Sequence, residues 1–404
     1  PKTATSIPIP DIIDFKNVVF IVNNKQKNFS LFELSQELVP IEIDKDIFIK
    51  SDYSKINSFE HKKVILVISD KNPWVKERKG YDYPHIRKDI LVISNGRALN
   101  TTIQSYNNKE SEPVFSYRDV TGDSIVISNL TLYRTDKSTH KTFCLTIRNA
   151  NNITIKNITI FTPDSYLFGD AIFTINNSTN VLMDQIYING TYSQNDKYGY
   201  GISMNNVFNS TFTDLYGIAN WGIFGNNNIN TVKLKNCDIN RFDIHCYGKD
   251  VSCTNTFFRN LYNQFSSFYG ELIFDKCFFS YFVPVLIDGS YSAYTSFDIK
   301  FNQCNIQVNP NRPYLINMMN SKHLIDNIRP ELSRMEWPNL YINNVNIDSP
   351  SDTTDYFLYH TSHNIIVELD KPIRLQINKL NYNFNDLVLS NSFIKFKRKP
   401  ILDF

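Results

Sequence analysis

The chain has 404 residues, 20% of them charged, and a formal net charge of +2. That balance gives no broad electrostatic case for nucleic acid or an anionic membrane as partner. No run approaches the roughly 18 apolar residues that a spanning helix needs, so no membrane span is expected.

Glycine is scarce at 13, while 30 Phe and 23 Tyr make the chain rich in rings. Turns must therefore fall largely to Asn, Asp and Ser. The sequence begins Pro1-Lys2-Thr3 without a methionine, the form a processed or trimmed N-terminus takes. A secreted, cell-surface or phage-virion protein is the expected setting.

Residues 1–110 are the least regular and read as an N-terminal cap grading into the first coils. Asn17 to Val22 reads as a strand. The segment 28–38 has helical spacing, with Ser30 as N-cap and Glu33 three residues on, the pattern of a capping box. Strands are predicted at 47–49, 64–68 and 90–93.

From 111 to 350 one short pattern returns: a polar residue followed by apolar-x-apolar. It runs Asn129-Leu130-Thr131-Leu132, Asn157-Ile158-Thr159-Ile160, Gln185-Ile186-Tyr187-Ile188 and Asp214-Leu215-Tyr216-Gly217. It continues from Asn236, Asn255, Lys276, Gln303 and Asn344. The first intervals are 28, 28 and 29 residues and the next are 22, 19 and 21. A period of about 20 to 30 with strand-like alternation inside each unit is the signature of a β-solenoid.

A second column opens each unit with a short strand ending in a polar pair, as in Gly201 to Asn206, Gly222 to Asn227 and Asp243 to Gly248. Stacked coils repeat at about 4.8 Å, so inward positions form apolar ladders and corner Asn residues adopt left-handed backbone. The fold class expected is all-β: a single-stranded parallel β-helix with an N-terminal helical cap. The crossover preference of parallel strands makes it right-handed. Residues 351–404 are expected to close its C-terminal end.

Cys237, Cys277 and Cys304 fall in the inward ladder and read as small buried hydrophobes. Cys246 and Cys253 are seven residues apart and either pair in an oxidising compartment or stay as thiols. No CxxC motif points to zinc or to redox chemistry. Asn-x-Ser/Thr occurs at nine positions, among them Asn129, Asn157, Asn177 and Asn209, mostly on the repeat, where corner geometry explains it without glycosylation. Interruptions at 134–141, 162–169, 189–199 and 309–340 are candidates for the walls of a groove.

The stretch Asn240 to Asp250 is the most unusual local sequence. At period two, Arg241, Asp243, His245, Tyr247 and Lys249 point outward, while Phe242, Ile244, Cys246 and Gly248 point in. Small residues one and two coils back, Gly222, Gly201 and Ser203, would leave open space above that row. Removing the C5 proton of a uronic acid needs a base, for which His245, Tyr247 or Lys249 serves. It also needs a cation for the carboxylate, Arg241 or Lys249. Asp243 would orient His245. The competing interpretation is a surface ladder of alternating charges that satisfies itself.

Tyr200, Trp221, Phe224, Asn226, Tyr269 and Glu271 are the candidates for contact with sugar along this groove; for the aromatic members the competing interpretation is packing between coils. A glycosidase would need two carboxylates about 5 to 9 Å apart, Asp243 with Glu271, Asp170 or Asp196. No metal site is expected, and the outward positions offer few oxygens for Ca2+.

The repeat over residues 110–350 resembles the right-handed parallel β-helix of pectate-lyase-like proteins. Within it, Phe242-Asp243-Ile244-His245 is similar to the Asp-Pro-His strand of mannuronan C5-epimerases. Asp243 and His245 would then be the residues at the proton-transfer centre. Ile244 replaces the family's Pro, and Asn240 stands where the family has Tyr. The resemblance implies uronate chemistry by a lyase or an epimerase on a polysaccharide, without choosing the polymer. The alternatives are a non-enzymatic tailspike-like or adhesin-like glycan binder, monomeric or trimeric, and a glycoside hydrolase built on Asp243.

Overall fold

The computed structural model describes residues 7–22, 29–72, 86–134, 142–162, 171–190, 200–218, 222–307, 316–320, 339–348, 355–362, 375–381, 385–389 and 394–398. Within these it omits 54, 55, 57, 58, 104, 105, 107–110, 260, 261, 267, 281, 282 and 289–295. The chain divides into two compact units, one of Pro1–Pro73 with Ile86–Val232, the other of Trp74–His85 with Lys233–Phe404. Both are built from coils of a right-handed parallel β-helix.

In the first unit, strands Ile125–Arg134, Asn151–Thr162, Ala171–Gly190 and Tyr200–Ile218 stack in parallel register. Leu130, Ile158, Ile186 and Leu215 form one inward ladder, and Ile127, Ile155, Met183 and Phe212 another. All are buried. In the second unit Phe258, Phe279 and Ile306 form a buried column, equivalent to Leu132, Ile160 and Ile188 of the first. Phe258 and Phe279 stack with centroids 4.8 Å apart.

The corners explain why so few glycines suffice. All nine polar residues that open the repeat have left-handed backbone, from Asn129 at φ 59° to Asn344 at φ 53°. Asn tolerates that region because its short amide bonds locally. Here it bonds along the column: Asn157 Nδ2 donates to Asn129 Oδ1 at 2.6 Å, and Asn255 Nδ2 to Asn236 Oδ1 at 2.9 Å. A second corner repeats the device, Asn206 to Asn177 and Asn177 to Asn149, each at 3.0 Å.

The helix expected over 28–38 is a strand, Phe29–Ser35, paired in parallel with Thr142–Arg148. Ser30 is not an N-cap; its hydroxyl donates to Phe32 O and meets the Thr146 hydroxyl at 3.0 Å. Ser30, Phe32 and Leu34 are buried at period two, and Glu33 pairs outward with Arg148. Strand Ile12–Val22 pairs likewise with Ile125–Arg134, so these residues already form a coil.

Between Ser35 and Ile125 the chain builds an antiparallel five-stranded sheet in the order Val39–Ile41, Pro113–Asp119, Lys63–Asp70, Lys88–Ser94, Arg97–Ala98. The helical part is small, Lys45–Ile49 capped by Asp44. One face of the sheet holds its own core of Phe48, Leu66, Leu91, Ile93 and Tyr106. The other face, Ile65, Val67 and Ile90, packs on Phe208 of a coil.

Candidate active site

Strand Phe242–Thr254 carries the row singled out in the sequence. Phe242 and Ile244 are buried inward as expected. The outward row is not open, however. Arg241 is 2% exposed, Asp243 0%, His245 6% and Tyr247 2%. The straight alternation also ends early, because Tyr247 and Asp250 take φ of 58° and 51°. Two left-handed residues turn the chain, so period two no longer places Tyr247 and half-buried Lys249 in line with the others.

What the strand and the residue before it bring together is Arg241, Asp243 and His245. Arg241 Nε donates to Asp243 Oδ1 at 2.6 Å. Asp243 Oδ2 lies 3.8 Å from His245 Nε2, within ion-pair range and beyond a hydrogen bond.

The following coil supplies partners that sequence reasoning missed. Gln264 stands opposite Asp243 in register and accepts from Arg241 Nη2 at 3.0 Å. The Tyr262 ring lies 4.2 Å from Arg241 Cζ, a cation–π contact. Asn263 is fully buried; its Oδ1 accepts from Phe242 N–H and its Nδ2 donates to Pro284 O. The only available signal for Gln264 was its spacing of 21 residues from Asp243.

The sugar-contact candidates fare differently. Phe224 is buried and meets Phe212 edge-on at 4.8 Å, so it is core and presents no face to a sugar. Asn226 is buried, its Oδ1 accepting from Met204 N–H at 3.2 Å. Half-buried Tyr200 lays its ring against Gly225. Tyr269 is buried, whereas Glu271 is exposed and paired with Lys300. That ion pair raises the Lys300 pKa, chiefly through the hydrogen bond to Glu271. Trp221 lies outside the described residues, as do Asp170 and Asp196.

Glu271 stands in register with Asp298, not Asp243. Among the described residues no group of three or more His, Cys, Asp or Glu could hold a metal ion.

All six cysteines are free and buried, Cys246 and Cys253 included. Burial pushes the Cys144 thiol up to about 12 and raises Cys253 and Cys277 well above their ordinary range. These thiols are packing groups.

No family model matches the sequence, and no curated protein matches it. Among solved structures, the Pseudomonas phage phi297 tailspike gp61 aligns with a TM-score of 0.48 at 9% identity, over 85% of this chain and 68% of that one. The tailspike protein gp49 from Pseudomonas phage LKA1 aligns with a TM-score of 0.34 at 10% identity, over 82% of this chain and 64% of that one. Identities this low carry no individual residue from either protein onto this chain.

Proposed function

We propose that this protein acts on an acidic, uronate-containing polysaccharide, with His245 as the proton-transferring group. The observation that supports it is the Asp243–His245 contact, formed in a largely buried strand segment where His245 keeps 6% exposure, and anchored by Arg241. In such surroundings fixed charges act more strongly than in water.

His245, whose Nε2 faces Asp243, takes the C5 proton on its imidazole. Asp243 then stabilises the imidazolium that forms. Collapse of the resulting carbanion expels the 4-O substituent in a lyase; reprotonation from the opposite face gives an epimer. Arg241, committed to Asp243 and Gln264, is an anchor in this reading. An extracellular or virion setting accompanies the proposal.

A non-enzymatic glycan binder is the second reading, favoured by rings on an outward face of the first unit. Tyr133 stacks on Phe161 at 4.6 Å and Tyr187 on Tyr216 at 4.8 Å, with Phe161 and Tyr187 5.8 Å apart. A hydrolase built on Asp243 has less support, since that carboxylate is already engaged by Arg241.

Incubation with alginate, pectate, glycosaminoglycans and bacterial capsules in D2O separates these readings. A lyase gives the absorbance of an unsaturated uronate, and an epimerase gives deuterium at C5. Either signal should vanish in His245→Ala. Binding without product or exchange would transfer the assignment to the binder.

A further inference from the structure

In the second unit, Cys277 and Cys304 hold the same inward position of consecutive coils. Each follows its corner residue, Lys276 at φ 54° and Gln303 at φ 52°. The strands that begin just after them, Phe278–Ser280 and Asn305–Gln307, pair in parallel with Phe278 opposite Asn305. Asn305 N–H donates to Cys277 O at 2.9 Å, so the register runs through the cysteines themselves. Each of the two is 1% exposed.

Cys277 Sγ donates to Cys253 O at 3.3 Å, and Cys304 Sγ donates to Phe274 O at 3.3 Å. The two thiols also meet each other, Cys277 sharing a side-chain hydrogen bond with Cys304. One coil back from Cys277 the column holds Thr256, and one coil on from Cys304 it holds Val345. Cys237 lies beyond Thr256, two coils and so about 10 Å from Cys277. Cys277 and Cys304 are thus next-coil neighbours, and Cys237 is out of reach of both.

Paired strands stand about 4.8 Å apart, inside the roughly 4.4 to 6.8 Å between Cα atoms that a disulfide spans. Both Cβ atoms leave on the same inward face, so closing the bond asks for side-chain rotation and no change of register. The S–H bonds to carbonyls that are given up are weak ones. We propose that Cys277 and Cys304 are a disulfide site, closing when the chain folds in an oxidising medium and joining two successive coils of the second unit. The site is independent of the role of His245.

Burial keeps an oxidant from the folded thiols, so the exchange takes place while the coils are still open. With oxidised glutathione as the oxidant, one cysteine thiolate attacks a glutathione sulfur, forms a mixed disulfide and releases one glutathione thiolate. The other cysteine thiolate attacks the protein sulfur of that mixed disulfide. The Cys277–Cys304 bond forms and the second glutathione thiolate leaves. Two protein thiols are oxidised, one glutathione disulfide is reduced, and the two protons pass to the released thiolates. The closed loop restricts the unfolded chain, which stabilises the folded one.

The test is to reduce and denature the protein, refold it in a glutathione redox buffer, quench with acid and map the thiols. The mass should fall by two hydrogens and the free thiols from six to four, the bond having used two. Trypsin, cutting after Lys276 and Lys300, puts the two cysteines on separate peptides, which should stay linked until reductant is added. Cys277→Ala and Cys304→Ala should each abolish the link, and Cys253→Ala should keep it. The oxidised protein should unfold at higher urea than the reduced one, and a chain carrying both Cys277→Ala and Cys304→Ala should lose that difference. Six free thiols after refolding, lasting glutathione adducts, or a link from Cys277 to Cys253 would overturn the proposal. A chain that does not refold is mapped after export to the bacterial periplasm, where the same results decide.

Discussion

Asn157 shows how single residues set the coil. Its backbone sits at φ 52° and its amide donates to Asn129 one coil back. Alanine there keeps the left-handed cost, about 1 kcal/mol, and loses the amide bond; glycine loses only the bond. Asn157→Ala should therefore lower the urea midpoint more than Asn157→Gly, by roughly 1 kcal/mol. Equal loss in both would mean that the hydrogen bond, and not the backbone, is what the position supplies. Tyr247 occupies the same backbone region without an amide, at φ 58°. A bulky residue there is strained, which sets the end of the Arg241-Asp243-His245 row apart from the Asn corners.

Elements are fixed by which face meets another layer. The strand Gly222–Lys235 needs Gly225 because a Cβ at that position would collide with the Tyr200 ring. Gly225→Ala should destabilise the protein by about 1 to 3 kcal/mol, the usual cost of overpacking. Tyr200→Ala in the same chain should recover part of it, and additive losses in thermal unfolding would show that the two do not touch.

The misread helix at 28–38 belongs to this scale as well. Ser30 and Glu33 fit a capping box, and they equally fit a strand whose Ser30 faces in and Glu33 out. Pairing with Thr142–Arg148, more than 100 residues away, decided between them.

For the whole molecule, the buried thiols make a statement about pH. Cys144 titrates at about 12 when folded, against an ordinary 9.0, because burial disfavours its thiolate. Cys253 and Cys277 are raised in the same direction for the same reason. The folded state thus holds these protons more tightly than the unfolded chain. Their contribution is fully present below pH 9.0 and is progressively lost as pH rises toward 12. Stability followed by denaturant midpoint should show no thiol-dependent slope near neutrality and a fall above pH 9.0. Cys144→Ala should reduce the slope of that fall. Thiol reagents should label the native protein only as fast as it opens; rapid labelling at pH 7 would contradict the burial.

The sequence by itself determined the coil: its period, its inward ladders and its corners. Left-handed tolerance in Asn and period-two alternation are properties of a residue and its near neighbours, so they can be read locally. It also brought out Arg241, Asp243 and His245 as a group, since they alternate along one short stretch, Arg241 just before the strand Phe242–Thr254 and the other two in it. Only the tertiary structure decided that this group is covered, that Phe224 is core and that Gln264 anchors Arg241. It likewise decided that Val39–Ile41, Lys63–Asp70, Lys88–Ser94, Arg97–Ala98 and Pro113–Asp119 form an antiparallel sheet on the coils. Alternation says which way a side chain leaves its strand; what it meets there is set by chain brought in from far along the sequence.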